Sequence, residues 1–349
     1  MYSIVAHPQT PASVPKFQVL LDKTLKNGVD DKLRYYKQEE ISMNKNSGPK
    51  FTFGIMVTPM PPFKRVIEHA KLIESLGFDK LWVPDHYVNP EDKEAGWFDC
   101  WTTLTALATY TNQIFLGTLV SSMTLRNPAI LARMAQTLDH ISGGRLELGV
   151  GAAGVPDCHT MTGVPIWEPR ERSERYREFV EILDHMLREE LTTYPGKYYN
   201  IQEALIHPGF VSKPRPVFNV AAKGPKALRL AAQYGDAWNA MYPGDGLTPR
   251  QNSVVIRHSC EMLCDFAREY GRDPDQIGRT FLYGWTSDNL FRSMDAFEDT
   301  ILRYAEAGIR DFCFIYAYGL DPFKDNAITT EGLLRRIALE AIPAIKEKL

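Results

Sequence analysis

From residue 51 onward, the chain alternates short apolar runs rich in β-forming residues with longer stretches of helical periodicity. The apolar runs do not alternate with polar residues, which is typical of strands buried on both faces of a parallel sheet. Strands are predicted at residues 51–57, 79–85, 114–120, 145–151, 217–222, 236–240, 279–285 and 310–316. Eight strand–helix units in succession predict an α/β fold, the TIM (β/α)8 barrel. A doubly wound sheet is the alternative, but no G-x-G-x-x-G motif opens the first helix.

The helices are predicted from the same periodicity and from their capping residues. The clearest one begins at Asn127, a favourable N-cap residue followed by proline, and ends at Gly143-Gly144. The other helices are predicted at about 64–76, 99–110, 171–190, 225–234, 249–270, 294–307 and 330–348.

Two segments fall outside this regular alternation. Residues 1–50 end in a polar, breaker-rich stretch, and we interpret them as an N-terminal extension that precedes one domain, residues 51–349. Residues 152–216 contain several glycines and prolines and one long charged helix. We therefore expect an insertion between the fourth and fifth strands of the barrel.

Composition and charge exclude several classes of partner. The 40 basic and 43 acidic side chains leave a net charge of -3, which gives no electrostatic reason to expect nucleic acid or an anionic membrane. No apolar run approaches the ~18 residues of a transmembrane helix, and the first residues lack the pattern of a secretory signal. The five cysteines include no C-x-x-C pair, so we expect reduced thiols, a cytoplasmic location and no metal site.

The reacting groups of a TIM barrel lie at the C-terminal ends of its strands. After the fifth predicted strand, Gly224 permits close approach to the backbone, and Pro225 suits the first turn of a helix. The N–H groups of Lys226 and Ala227 would then be free at the positive end of the helix dipole, near Lys223. This combination predicts a phosphate site, and the alternative is an ordinary helix start with solvated lysines.

Other strand ends contain further candidate residues. The second strand ends in Asp85-His86, where a histidine could exchange a proton near neutral pH with Asp85 restraining it, or could merely brace the loop. Gly149 and Gly151 indicate that a ligand or another backbone lies close to the fourth strand. His159, in the loop after the fourth strand, could face the mouth but is more easily interpreted as a solvated loop residue. Five tryptophans are candidates for the core or for a pocket wall: Trp97, Trp101, Trp167, Trp238 and Trp285.

Four segments together resemble the bacterial-luciferase-like superfamily of flavin- and deazaflavin-dependent oxidoreductases. They are GFDKLWVPDHY (77–87), the run from residue 115 to residue 154, PRERSERYREFVEIL (169–183) and AAKGPKALRLAAQYGDAW (221–238). The resemblance covers roughly residues 51–349. It implies a TIM barrel with this insertion and a cofactor, coenzyme F420 or FMN, at the C-terminal mouth. The GPKAL segment is closer to the methylenetetrahydromethanopterin-reductase-like branch, which uses coenzyme F420.

The resemblance also implies roles for single residues. Asp85 and His86 match a catalytic pair near the reactive ring, and Leu119-Val120 matches a non-prolyl cis peptide in a bulge that supports the ring. The implied cofactor-binding residues are Leu119 and Val120; Gly149, Gly151 and Ala152; and Ala222, Lys223, Gly224, Pro225 and Lys226.

The implied reaction is hydride transfer between coenzyme F420 and a small organic substrate. The alternatives are an FMN-dependent monooxygenase that uses O2 and a flavin reductase as partner, and a flavin-binding protein without catalysis. The resemblance further implies a homo-oligomer, a dimer. One position departs from the family: its glucose-6-phosphate dehydrogenases carry a glutamate general acid where this chain has Ala152-Ala153. We therefore do not expect that particular activity.

Overall fold

The structure, a computed structural model, describes residues 51–152, 156–240, 242, 244, 246–284, 286–317 and 326–349. The predicted N-terminal extension, Ala153 and Trp285 lie outside the described residues. The strands are β1 (Thr52–Val57), β2 (Lys80–Val83), β3 (Phe115–Thr118), β4 (Ser121–Ser122), β5 (Leu146–Gly151), β6 (Leu191–Pro195), β7 (Asn200–Leu205), β8 (Val217–Ala222), β9 (Ala237–Ala240), β10 (Gly278–Tyr283), β11 (Asp311–Tyr316) and β12 (Ala327–Ile328).

The α-helices are α1 (Phe63–Ser75), α2 (Cys100–Tyr110), α3 (Pro128–Ser142), α4 (Pro156–Thr162), α5 (Pro169–Arg188), α6 (Pro225–Tyr234), α7 (Pro249–Glu269), α8 (Met294–Glu306), α9 (Glu331–Arg336) and α10 (Ile342–Lys346). The start of α3 is as predicted, because the Asn127 side chain accepts the Ala129 N–H at 3.0 Å. Its end is also as predicted, with Gly143 in the left-handed conformation at φ 68°. In the described part of the chain, no helix combines the length and the apolar character of a membrane span.

Eight parallel strands close into a barrel in the order β1-β2-β3-β5-β8-β9-β10-β11, and β11 pairs back with β1. The closing pair is in register from Thr52 opposite Asp311 to Val57 opposite Tyr316. Helices surround this barrel, so the predicted TIM barrel is confirmed.

The structure adds elements that the hydrophobic pattern did not predict. The insertion contains α4 and an antiparallel hairpin of β6 and β7 in addition to the long helix α5. The segment that returns to the barrel is fixed by buried Asp139, which accepts the N–H groups of Val211 (2.7 Å) and Ser212 (2.9 Å). The predicted final helix is divided by a π-helical turn, Ile337–Ala341, just before Pro343, which cannot donate a helical hydrogen bond.

The side chain of Trp82 lies in the barrel interior. Trp82 of β2 is completely buried, and both neighbouring strands present a glycine to its indole. A Cβ on Gly54 would lie 2.8 Å from Nε1 of Trp82, and a Cβ on Gly117 would lie 2.4 Å from its Cζ3. Both separations are too short for real contacts, so the glycines make room for the indole.

The N-terminal half of the barrel interior contains a network of charged groups. The Lys80 ammonium lies 2.8 Å from a carboxylate oxygen of Glu147 and 2.8 Å from one of Asp311. Burial alone lowers the pKa of Lys80, but the attraction of Asp311 and Glu147 outweighs it and raises the pKa above its ordinary value. Asn219 donates to Glu147 (2.9 Å), and Thr280 donates to Asp311 (2.9 Å). The network therefore joins strands on all sides of the barrel.

We expect Lys80→Met to lower the free energy of unfolding by about 3–5 kcal/mol, because two buried carboxylates would lose their counter-charge. Denaturant unfolding of the variant and of the unmodified chain measures this difference. Lys64→Met is the matched control, since Lys64 is 86% exposed in a surface pair with Glu68 and should change stability by less than about 0.5 kcal/mol. Equal effects of the two substitutions would contradict the stabilising role of the network.

Candidate active site at the carboxyl ends of the strands

The chain forms a bulge where it leaves β3. The peptide bond between Leu119 and Val120 in this bulge is cis, as predicted. Thr118 ties the bulge to β5, because its hydroxyl donates to the Gly149 carbonyl (2.7 Å) and accepts the Gly149 N–H (3.1 Å). The chain then continues as β4, which pairs with the last residues of β5.

The close approach of this bulge explains both glycines of β5. A Cβ on Gly149 would lie 2.0 Å from the Thr118 carbonyl oxygen, and a Cβ on Gly151 would lie 2.4 Å from a methyl group of Val120. The sequence left two explanations for these glycines, a nearby ligand or a nearby backbone. The bulge itself, through the Thr118 backbone at Gly149 and the Val120 side chain at Gly151, is sufficient to explain both. Contact of Gly149, Gly151 and the adjoining residues with a cofactor ring stays a prediction.

Asp85 is buried at the end of β2, where Arg126 neutralises it. Arg126 donates from Nε (3.0 Å) and Nη2 (2.6 Å) to the two carboxylate oxygens, and the Ser122 N–H donates to the same group at 3.3 Å. Arg126 also donates to Asp99 (2.5 Å), the N-cap residue of α2. Among the described residues no hydrogen bond joins Asp85 to His86. The expected restraint of His86 is therefore not a hydrogen bond, and Asp85 instead holds the loop after β3.

His86 is half-buried, and its Nδ1 is buried with no hydrogen-bond partner among the described residues. The Trp97 ring lies 6.4 Å away between ring centroids, and its Nε1 is also buried and unpartnered. Burial lowers the pKa of His86 below 6.5, although the Asp85 carboxylate opposes this shift. Burial therefore favours the neutral form of the imidazole. Buried polar atoms normally have partners, so these two atoms indicate where a ligand could supply them.

His159 is not a solvated loop residue, and this interpretation of the sequence is wrong. The side chain is buried, and its Nδ1 lies 2.8 Å from the Pro165 carbonyl oxygen, which can only accept a hydrogen bond. Nδ1 must therefore carry a proton, and in the neutral ring Nε2 accepts from the Thr124 hydroxyl at 3.2 Å. Trp167 packs edge-on against the ring at 5.1 Å. Trp101 and Trp238 are buried core residues.

A groove of about 520 Å³ opens between α5 and the start of α6. One wall of the groove is the turn at the start of α6, which was predicted to bind phosphate. Pro225 is the first residue of α6, no side chain caps this helix, and the first helical bond runs from the Leu228 N–H to the Gly224 carbonyl. The N–H groups of Lys226 and Ala227 therefore have neither a helical nor a capping partner.

The groove has space and positive charge for an anion. Nothing lies within 4 Å of the position that a Cβ on Gly224 would occupy. Arg172 and Ser173 of α5 line the opposite wall, and Ala152 lines the end nearest β5. Lys223 and Lys226 are exposed and, like Arg172, form no ion pair with a described residue. Buried Ala222 precedes the turn.

Arg126, Arg172 and Ser173 were not found by sequence analysis. Arg126 immediately precedes the N-cap residue of α3, so its place in a loop at the barrel mouth was a usable signal. Arg172 and Ser173 gave no such signal, because their approach to the Gly224 turn depends on how the insertion packs. Within the described residues no cluster of three or more His, Cys, Asp or Glu side chains could hold a metal ion.

The barrel and its mouth place this chain in a known class of enzyme. A family model described as luciferase-like monooxygenase matches residues 46–282, so the chain belongs to the luciferase-like monooxygenase family. The resemblance found in the sequence motifs is confirmed, and the chain is an oxidoreductase.

The relatives of this chain include both a reductase and a monooxygenase. The 5,10-methylenetetrahydromethanopterin reductase of Methanolobus tindarius is 29% identical over 273 residues, which are 78% of this chain and 76% of that protein. The 4-hydroxyprotoasukamycin monooxygenase of Streptomyces nodosus subsp. asukaensis is 28% identical over 275 residues, 73% and 70% of the two chains. A solved F420-dependent secondary alcohol dehydrogenase superposes with a TM-score of 0.71 at 21% identity, covering 85% of this chain and 99% of that one. At that identity the superposition establishes the fold.

We expect Arg126→Met to lower the free energy of unfolding by about 3 kcal/mol, because Asp85 would stay buried without a counter-charge. Denaturant unfolding measures the effect. Arg335→Met is the matched control, since this half-exposed arginine pairs with Glu331 on the surface of α9 and should cost less than about 0.5 kcal/mol. A loss no larger than that of the control would mean that Asp85 does not depend on Arg126.

Proposed function

We propose that this chain transfers a hydride between coenzyme F420 and a small organic substrate, with the cofactor bound across the mouth of the barrel. The observation that carries the proposal is the open, positively charged groove beside Gly224. Free N–H groups at a helix N-terminus, together with nearby cations, are the arrangement that binds phosphate groups in proteins.

The shape of the groove suits the phosphate of a flavin-type cofactor. The vacant space at Gly224 lets an anion approach the N–H groups of Lys226 and Ala227. Arg172 on the facing wall and Lys226 in the turn add charge. The groove is open to solvent, so a phosphodiester whose chain continues outward can occupy it, as coenzyme F420 requires.

The cofactor ring would lie between this groove and His86, against Leu119, Val120, Gly151 and Ala152. Within the bulge, Leu119 is buried and Val120 is half-buried. When bound, the cofactor ring supplies the hydride chemistry, and the protein supplies orientation and proton handling.

His86 would handle the proton of the reaction. In the oxidising direction the substrate loses a hydride from carbon and a proton from the attached heteroatom, and the neutral imidazole can accept that proton. Asp85 would act as a positioning residue, since its carboxylate is occupied by Arg126. The sequence has Ala152-Ala153 where the glucose-6-phosphate dehydrogenases of this family carry a glutamate, so the proposal assigns proton handling to His86.

An FMN-dependent monooxygenase is the second candidate, and the similarity to 4-hydroxyprotoasukamycin monooxygenase favours it. The same groove could take the dianionic monophosphate of FMN, and reduced FMN would then require a flavin reductase as partner. The GPKAL segment and the similarity to a methylenetetrahydromethanopterin reductase favour coenzyme F420. Tighter binding of FMN than of coenzyme F420 to the apoprotein would reverse this preference.

We expect Gly224→Val to raise the dissociation constant of the cofactor at least tenfold, because a branched side chain would occupy the space where the phosphate approaches. Stability should change little, since nothing lies within 4 Å of the new Cβ. Fluorescence titration of the apoprotein with coenzyme F420 and with FMN measures binding. Gly209→Val is the matched control, because its Cβ would also enter open space, away from the groove. Unchanged affinity of Gly224→Val for both cofactors would show that the phosphate binds elsewhere.

We expect His86→Ala to lower kcat by a factor on the order of 100 while stability changes little. The pH profile gives a second test, because the neutral imidazole is lost as the pH falls through its lowered pKa. In the oxidising direction, the acid limb of kcat/KM should therefore lie below pH 6.5 and disappear in the variant. A variant with unchanged kcat and a much lower melting temperature would show that His86 only braces the loop.

A further inference from the structure

One tyrosine of the insertion reaches the ends of two barrel strands. Tyr176 of α5 is buried, and its hydroxyl oxygen lies 3.0 Å from the Val150 carbonyl oxygen of β5 and 2.9 Å from the Ala221 carbonyl oxygen of β8. Burial raises the pKa of Tyr176 above its ordinary value, so the hydroxyl keeps its proton at neutral pH. It is therefore a hydrogen-bond donor that the two carbonyl groups share.

These carbonyl groups lie where the pairing between β5 and β8 ends. The register between β5 and β8 ends with Val150 opposite Val220, so the backbone beyond this pair has no ladder partner across the gap. The Tyr176 hydroxyl bridges the gap. On the other side of β8, the Trp238 indole N–H donates to the Ala222 carbonyl at 2.9 Å. Two side-chain donors thus fix the backbone directly before the Lys223–Lys226 turn.

The same tyrosine sets the position of the wall that faces this turn. Arg172 and Ser173 lie one helical turn before Tyr176 on α5, and all three residues line the groove. Because α5 belongs to the insertion, its distance from the Gly224 turn depends on contacts such as the one Tyr176 makes. The width of the groove therefore depends on the two hydrogen bonds that this hydroxyl donates.

We propose that Tyr176 is a positioning residue for the phosphate of the cofactor: its hydroxyl holds β5, β8 and α5 together so that the wall containing Arg172 faces the Gly224 turn. This inference rests on the proposed function, since it concerns the same groove. It adds Tyr176, a residue that need not touch the ligand. It also explains why the insertion would be part of the proposed binding site.

The test is Tyr176→Phe, which keeps the buried ring and removes only the hydroxyl. We expect the dissociation constants of coenzyme F420 and FMN for the apoprotein to rise on the order of tenfold, measured by fluorescence titration. Tyr194→Phe is the matched control. This substitution removes a hydroxyl that donates to Glu181 of α5 at 2.5 Å. The Tyr194 hydroxyl does not bridge two strands of the barrel, so cofactor affinity should not change.

A double-mutant cycle separates positioning from a general loss of stability. Arg172→Met alone should weaken cofactor binding without changing the melting temperature, because Arg172 is exposed. In the Tyr176→Phe background the same substitution should weaken binding much less, since Arg172 no longer faces the turn. Additive effects in this cycle would overturn the inference. Titrations below the melting temperature of every variant keep unfolding out of the comparison.

The possible failures are distinguishable. If the unmodified chain binds cofactor and Tyr176→Phe binds it equally well, the positioning role is overturned and the proposed function stands. If the unmodified chain binds neither coenzyme F420 nor FMN, the proposed function fails, and the inference fails with it.

Discussion

The ammonium of Lys80 lies between two buried carboxylates inside the barrel, and it links strands that are not neighbours in the sheet. Its partners lie on β5 and β11, and their further hydrogen bonds reach β8, β10 and, through Thr52, β1. A buried charge needs partners, and the strand register of this barrel supplies two carboxylates to Lys80. Closure in that register brings all the strand ends together at the opposite end, where the candidate site lies.

The two ends of the barrel contain different polar groups. At the N-terminal end, the Lys80 ammonium contacts both Glu147 and Asp311. At the C-terminal end, the described groups near His86 and the Gly224 turn include buried nitrogens and N–H groups without partners. Paired charges stabilise a fold, whereas unpaired donors and acceptors are available to a ligand. These unpaired groups lie at the end where TIM barrels have their active sites.

Close packing of the bulge after β3 against β5 shapes the mouth. Gly149 and Gly151 allow the bulge after β3 to lie against β5, and Asp85 with Arg126 holds the loop that follows the bulge. The insertion completes the site from outside the barrel, because α5 forms one wall of the groove.

The sequence by itself determined those features that depend on neighbours along the chain. Strand and helix order, the Asn127 cap and the helix start at Gly224-Pro225 follow from periodicity and local backbone preference, and all appear in the structure. The family motifs added the cis peptide at Leu119-Val120. Tertiary structure alone decided that Asp85 pairs with Arg126 and that Tyr176 bridges two strand ends. These partners are 26 to 45 residues apart in the sequence, and no local preference encodes such contacts, because they exist only after the barrel has closed.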